Sequence, residues 1–296
     1  MRPEIQELLA ALEGEGYVAE ASIATAVHLS RTLGKPLLVE GDAGVGKTEL
    51  AKVVASLLGT ELIRLQCYEG LDVQTALYEW DYPRQMLQLR ISEGRGEEPR
   101  ALEARIFSRD YLLERPLLRA LTRSARPVLL IDEIDRADDA FEAFLLELLS
   151  DFQITIPELG TIQTDHPPYV VLTSNRTRQL GDALRRRCLY LYIEHPSLEK
   201  EVRVIRTRCP DAGERLSREV GRFLQALRGR SLVKPPGVAE TLDWTRALLS
   251  LRQDTLDPEL VTQTLGCLLK DREDLQTVTT SEVAELVTLA REGAQS

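Results

Sequence analysis

Five short apolar runs stand out along the chain: PLLVE (36–40), ELIRLQ (61–66), PVLLID (127–132), YVVLTS (169–174) and CLYLYIE (188–194). Most lack strict polar alternation, which predicts strands covered on both faces, as in a parallel sheet. Helical periodicity lies between them, over residues 19–33 and 48–58 and again over 116–125, where Pro116 suits a first helical turn. After the third run, Phe141, Phe144, Leu145, Leu148 and Leu149 recur at helical spacing and would face a core. Strands alternating with helices predict a doubly wound α/β layer. Two segments break the rhythm. FQITIPELGTIQ (152–163) alternates around Pro157 and Gly160 and predicts a β-hairpin. SEGRGEEPR (92–100) is charged and Gly-containing and predicts an exposed insert or its tip.

From about Pro196 the strand-like runs cease. Apolar residues recur at helical spacing in 198–208, 215–228, 238–251, 258–270 and 281–291, with breaks at CPDAG, KPPG and TLDP. The expected organisation is an α/β domain over 1–195 and a small all-α domain over 196–296.

Composition narrows the class. The chain has 296 residues, 43% hydrophobic and 28% charged, enough for a sizeable core in a soluble globular protein. Its formal net charge of -10 makes nucleic acid an unlikely partner, since such binders advertise a basic face. The acidic start MRPEIQELLAALEGEG has no basic n-region and does not read as a secretory signal. No apolar run approaches the ~18 residues of a membrane span. Cys67, Cys188, Cys209 and Cys267 are far apart and form no CxxC pair, which points to buried thiols in a reducing, cytoplasmic setting. His28, His166 and His195 show no metal-ligand spacing.

The candidate chemistry begins at GDAGVGKT (41–48), which fits G-x-x-x-x-G-K-[ST] between a strand and a helix. There Gly41, Gly44 and Gly46 let backbone N–H groups turn inward around a phosphate, and the following helix adds its positive end. The expected nucleotide-binding residues are Gly41, Asp42, Ala43, Gly44, Val45, Gly46, Lys47, Thr48 and Glu49. Lys47 would reach the outer phosphates, and the Thr48 hydroxyl would ligate Mg²⁺. VLLIDEID (128–135) ends an apolar strand on Asp132 and Glu133. Two carboxylates at the mouth of a buried strand are costly unless paired or metal-bound. Asp132 would hold the Mg²⁺ water shell, and Glu133 would polarise an attacking water. Asn175, at the end of VVLTSNRTR, could position that water, or serve only as a turn residue. DALRRRC (182–188) reads either as a solvated basic turn or as a source of an arginine reaching a neighbouring subunit's nucleotide.

The order GDAGVGKT, LLIDEID, LTSN, ALRRRC and then a helical segment resembles an AAA+ ATPase: a P-loop NTPase parallel sheet with flanking helices, followed by a small all-α lid domain. Within that group the chain resembles the MoxR branch, including its CoxD-like subset. IDEIDRAD (131–138) is similar to the branch's DEINRA signature, with Asp135 where the signature has Asn. The hairpin 152–163 and an insert near 74–105 fall where the branch carries such features. The resemblance implies ATP and Mg²⁺ as cofactors, a hexameric ring of identical subunits, a von Willebrand factor A-domain partner and a metalloenzyme client. ALRRRC is similar to the ALRSRC form of clamp loaders, which implies Arg187 as the inter-subunit finger, with Arg186 and Arg185 as fallbacks; Arg136 is a further candidate at a subunit boundary. Many AAA+ lids open their third helix with a sensor-2 arginine, but here that place reads Gly237-Val238-Ala239-Glu240-Thr241, and Arg246 is a distant substitute. Tyr78 and Trp80 stand as candidates for substrate contact or for packing of the insert. The implied function is ATP-driven maturation of a protein client. A nucleic-acid motor and a nucleotide-gated binding module with little hydrolysis remain the alternatives.

Overall fold

The computed structural model describes residues 1–93 and 98–292; residues 94–97, in the middle of the charged 92–100 stretch, and 293–296 lie outside the described residues. In chain order the elements are α1 (Pro3–Gly14), α2 (Ala21–Leu33), β1 (Leu37–Gly41), α3 (Lys47–Leu57), β2 (Leu62–Gln66), α4 (Val73–Leu77), β3 (Tyr78–Trp80), α5 (Tyr82–Glu93), α6 (Pro99–Ile106), β4 (Leu112–Glu114), α7 (Pro116–Thr122), β5 (Val128–Asp132), α8 (Asp139–Asp151), β6 (Gln153–Ile156), β7 (Gly160–Gln163), β8 (Tyr169–Ser174), α9 (Asp182–Arg187) and β9 (Leu189–Ile193). Helices alone follow: α10 (Leu198–Arg208), α11 (Glu214–Arg228), α12 (Val238–Ser250), α13 (Pro258–Thr264), α14 (Arg272–Thr277) and α15 (Thr280–Glu292). The architecture is a parallel five-stranded sheet with flanking helices and a helical C-terminal region, as the resemblance implies. Among the described residues, no helix is long and apolar enough to cross a membrane.

The sheet order is β2-β5-β8-β1-β9. Every residue of β1, β5 and β8 is buried, which is what continuous apolar runs give when helices cover both faces. The flanking strands differ. β2 alternates, with Ile63 and Leu65 inward and Arg64 and Gln66 outward, as a strand at a sheet edge can.

The chain forms two compact units. One comprises Ser22–Glu40 and Ala51–Leu191. Its core joins the sheet to α7 and α8 through Leu117, Leu118, Leu129, Ile131, Phe141 and Leu145, all nearly inaccessible. Between β2 and α7 lies a small ribbon that the sequence did not announce, β3 against β4 with Trp80 opposite Leu112. Trp80 is buried edge-on to Phe107 at 5.3 Å and to Tyr78 at 6.1 Å, so its ring serves packing of this unit. β6 and β7 pair antiparallel, Ile154 opposite Ile162, around the Pro157–Gly160 turn. Residues 182–187 form a short helix rather than a basic turn.

The other unit comprises Met1–Ala21, Gly41–Leu50 and Tyr192–Ser296. Leu216, Val220, Phe223, Leu224 and Leu227 make one apolar stripe on α11. It packs on Trp244 of α12, whose ring lies 5.2 Å from Phe223 and whose indole N–H donates to Thr264 Oγ1 at 2.9 Å. Each such buried side chain contributes about 1.5–3 kcal/mol. The unit also holds a buried ion pair. Arg228 meets both oxygens of Glu201 at 2.7 Å, with Glu201 fully buried.

Candidate functional site

The parallel register brings strand ends together. Gln66 pairs with Asp132, Ile131 with Leu172, and Glu40 with Ser174, so β2, β5, β8 and β1 finish side by side. In open α/β sheets ligands bind beyond such carboxyl ends. Asp132 is buried there and compensated: Thr173 Oγ1 donates to Oδ1 at 2.5 Å, and Arg64 donates to Oδ2 from Nε at 3.0 Å and Nη2 at 2.5 Å. The same Thr173 hydroxyl accepts the Glu133 backbone N–H at 2.9 Å. Glu133 adopts a left-handed backbone, φ 55° and ψ 50°. For a residue with a Cβ that conformation costs about 1–2 kcal/mol, and such strain concentrates at functional sites. Its carboxylate lies 2.6 Å from Arg136 Nε, both side chains being partly exposed.

Asp135 organises the next strand end. Buried itself, it accepts from Asn175 N at 3.1 Å, Thr177 N at 2.9 Å and Thr177 Oγ1 at 2.6 Å. Burial pushes its pKa up, but the Thr177 and Asn175 hydrogen bonds outweigh burial, so the carboxyl titrates below its ordinary value. Asn175 is thereby held by its main chain where β8 ends. Arg176 follows, also left-handed (φ 61°).

The glycine loop belongs to the other unit. β1 ends at Gly41, and α3 starts at Lys47. Gly44 (φ 77°) and Gly46 (φ 95°) take conformations that L side chains resist, and these turn successive amides to one side. The buried Lys47 folds over the loop, Nζ donating to Gly41 O at 2.9 Å and Asp42 O at 2.6 Å. Asp42 and Ala43 are exposed at the loop's tip, and Val45 is buried beneath it. Thr48 sits on the first turn of α3, and Glu49 meets Arg208 at 3.2 Å. On its outer side the loop is held: Gly44 O accepts the Val238 N–H at 2.9 Å, and Asp42 Oδ2 lies 3.3 Å from His195 Nε2. Burial, then the Arg228 charge, push the His195 pKa below its ordinary value, with Asp42 opposing.

The loop residues fit a triphosphate. Left-handed glycines, a helix N-terminus and an ammonium are the donor set a phosphate needs. Within its own unit, the Thr48 hydroxyl is a hard oxygen donor of the kind Mg²⁺ takes, and so, in the other unit, is the Asp132 carboxylate.

The three arginines of α9 meet different surroundings. Arg185 lies over the Tyr190 ring at 5.4 Å, and that phenol donates to Glu40 at 2.9 Å. Arg187 Nε donates to Ser150 Oγ at 3.0 Å, while Arg186 is exposed. Arg246 sits beside Asp243 at 3.1 Å, exposed. Sequence reasoning passed over Arg64, Thr173 and Thr177. Thr173 gave a faint signal as a polar residue near the end of an otherwise apolar strand; Arg64, in the middle of β2, and Thr177, beyond the end of β8, gave none.

Residues 36–188 match the family model described as "AAA domain (dynein-related subfamily)". No curated protein matches the chain. Among solved structures, the Thermotoga maritima RuvB Holliday junction branch migration motor is similar: 20% identity, 86% of this chain and 68% of that one covered, TM-score 0.48. A point mutant of the same protein gives 20% identity, 93% and 75% coverage and a TM-score of 0.49.

Proposed function

The chain belongs to the AAA domain family, dynein-related subfamily, and so to the AAA+ P-loop ATPases; from that premise we propose that it hydrolyses ATP with Mg²⁺ to remodel or mature a protein client, as MoxR-type chaperones do. The observation that carries the catalytic part is the strained Glu133, fixed beside a buried, hydrogen-bonded Asp132. In this reading the amides from Gly44 to Thr48, with Lys47, bind the β- and γ-phosphates. Thr48 and Asp132 would hold Mg²⁺, which would offset phosphate charge. Glu133 accepts the proton of the attacking water as its oxygen bonds the γ-phosphorus and the bond to the bridging oxygen breaks. Asn175 orients that water. Arg187, with Arg186 as the alternative, reaches the nucleotide of the next subunit in a hexameric ring. The α/β part (1–195) carries this chemistry and the helical part (196–296) is the lid. A cytoplasmic setting, a von Willebrand factor A-domain partner and a metalloenzyme client complete the proposal by resemblance. The net charge of -10 favours a protein over a nucleic-acid client.

An ATPase assay with and without DNA tests this. Turnover indifferent to DNA supports a protein client, and strong stimulation by DNA replaces it with a nucleic-acid motor. Glu133→Gln should keep ATP binding and lose turnover by ~10²–10⁴; an unchanged rate removes Glu133 from its role.

A further inference from the structure

The beginning of α12 touches the glycine loop through the main chain of Gly237 and Val238, with a Glu240 carboxylate oxygen also beside Gly44. Gly237 lies so close that a Cβ on it would stand 2.7 Å from Gly44 Cα and 2.8 Å from Ala43 O. Only a residue without a side chain fits. One position on, Val238 donates its N–H to Gly44 O at 2.9 Å. A trans peptide carries its C=O and N–H on opposite sides. Holding Gly44 O toward α12 therefore aims the Val45 N–H away from α12.

The segment that delivers Gly237 is itself pinned. Arg228 Nε donates to Pro236 O at 2.8 Å, while its other nitrogens meet Glu201 at 2.7 Å and Thr241 Oγ1 at 3.3 Å. The buried Asp274 accepts Val233 N at 2.7 Å and Lys234 N at 3.0 Å. Glu240 accepts the Gly237 N–H at 2.9 Å and closes the start of the helix.

We propose that Gly237 and Val238 are positioning residues for the phosphate loop: the lid sets the orientation of the Gly44–Val45 peptide by a backbone contact, in the place where an arginine would otherwise reach the phosphate. The proposal rests on the reading of residues 41–48 as the phosphate cradle. Phosphate affinity then depends on α12 being seated. By linkage, bound nucleotide holds α12 in its seat.

Two variants of the full chain separate this from a structural role. Gly237→Ala forces the loop back. Val238→Pro removes the donor and sets the ring Cδ against Gly44 O, while α12 itself is spared, because proline is well tolerated at the first position of a helix and Gly237, at φ -90° and ψ -172°, is already extended as a residue before proline prefers. Gly213→Ala is the control, since a Cβ there meets nothing within 4 Å. Isothermal titration calorimetry with Mg·ADP should show affinity ~10–100-fold weaker for both variants, with KM for ATP raised, kcat little changed and the ligand-free melting temperature preserved. Gly213→Ala should match wild type. If wild type binds and Lys47→Ala does not, yet both variants bind like wild type, the positioning role is overturned. If wild type itself fails to bind, the cradle reading falls instead. A variant that melts early is judged by amide exchange at Val238 in wild type: protection unchanged by Mg·ADP overturns the linkage.

Discussion

Asp135 shows how much one oxygen decides at the residue scale. Its two oxygens accept three donors, from Asn175 and Thr177. Asp135→Asn would turn an NH₂ toward donors it cannot accept from, and should cost about 1.5–3 kcal/mol, read as a lower melting temperature. The native carboxyl titrates below its unfolded value, so the unfolded chain binds more protons between the two. Its stabilisation is therefore complete above roughly pH 4 and is lost as pH falls through the folded pKa. The variant should lack that part of the acid limb; an identical limb in both proteins refutes the assignment. The thiols give a second check. Burial, then Asp132, Asp135 and Glu133, push Cys67 up to about 12, burial does the same for Cys188, and Cys209 is raised too. Native iodoacetamide labelling, followed by mass spectrometry, should find Cys267 modified first, because it alone is only half-buried. Lys47, Asp132 and Glu133 were legible as candidates because their motif spacing is specific. Arg64 was not, because a charge on an edge strand looks like solvation until β5 lies beside it.

Elements carry the next level of information. The buried runs of β1, β5 and β8 announced a parallel sheet, since only full coverage tolerates unbroken Val, Leu and Ile. The β3–β4 ribbon gave no such signal: with three residues a strand, it is too short for periodicity. The helix α14 escaped for the same reason; it holds six residues and only Asp274 is buried. α9 illustrates a different limit. Its three arginines are equivalent in sequence, and only the fold distinguishes Arg185 on Tyr190 from Arg187 on Ser150. Arg187→Ala should bind ATP as wild type does and lose ~10³-fold or more in turnover, measured by single-turnover hydrolysis; wild-type rates would pass the role to Arg186.

At the scale of the whole molecule, the proposed sharing of the site between subunits makes a distinctive demand. Arg187→Ala mixed with Glu133→Gln should recover activity neither has alone, because some junctions then hold both intact groups. No recovery at any mixing ratio would confine the chemistry to one subunit. Among the described residues, one apolar cluster surrounds the sheet and another surrounds α11 and α12. The chain has two tryptophans, and they are divided between these cores: Trp80 belongs to the first and Trp244 to the second. Nature has thus placed one optical label in each half. Trp80→Phe leaves emission that reports the helices alone, and Trp244→Phe leaves emission that reports the sheet alone. Denaturant midpoints that differ between these two single-label proteins, beyond what each replacement shifts by circular dichroism, would reveal halves that melt one after the other.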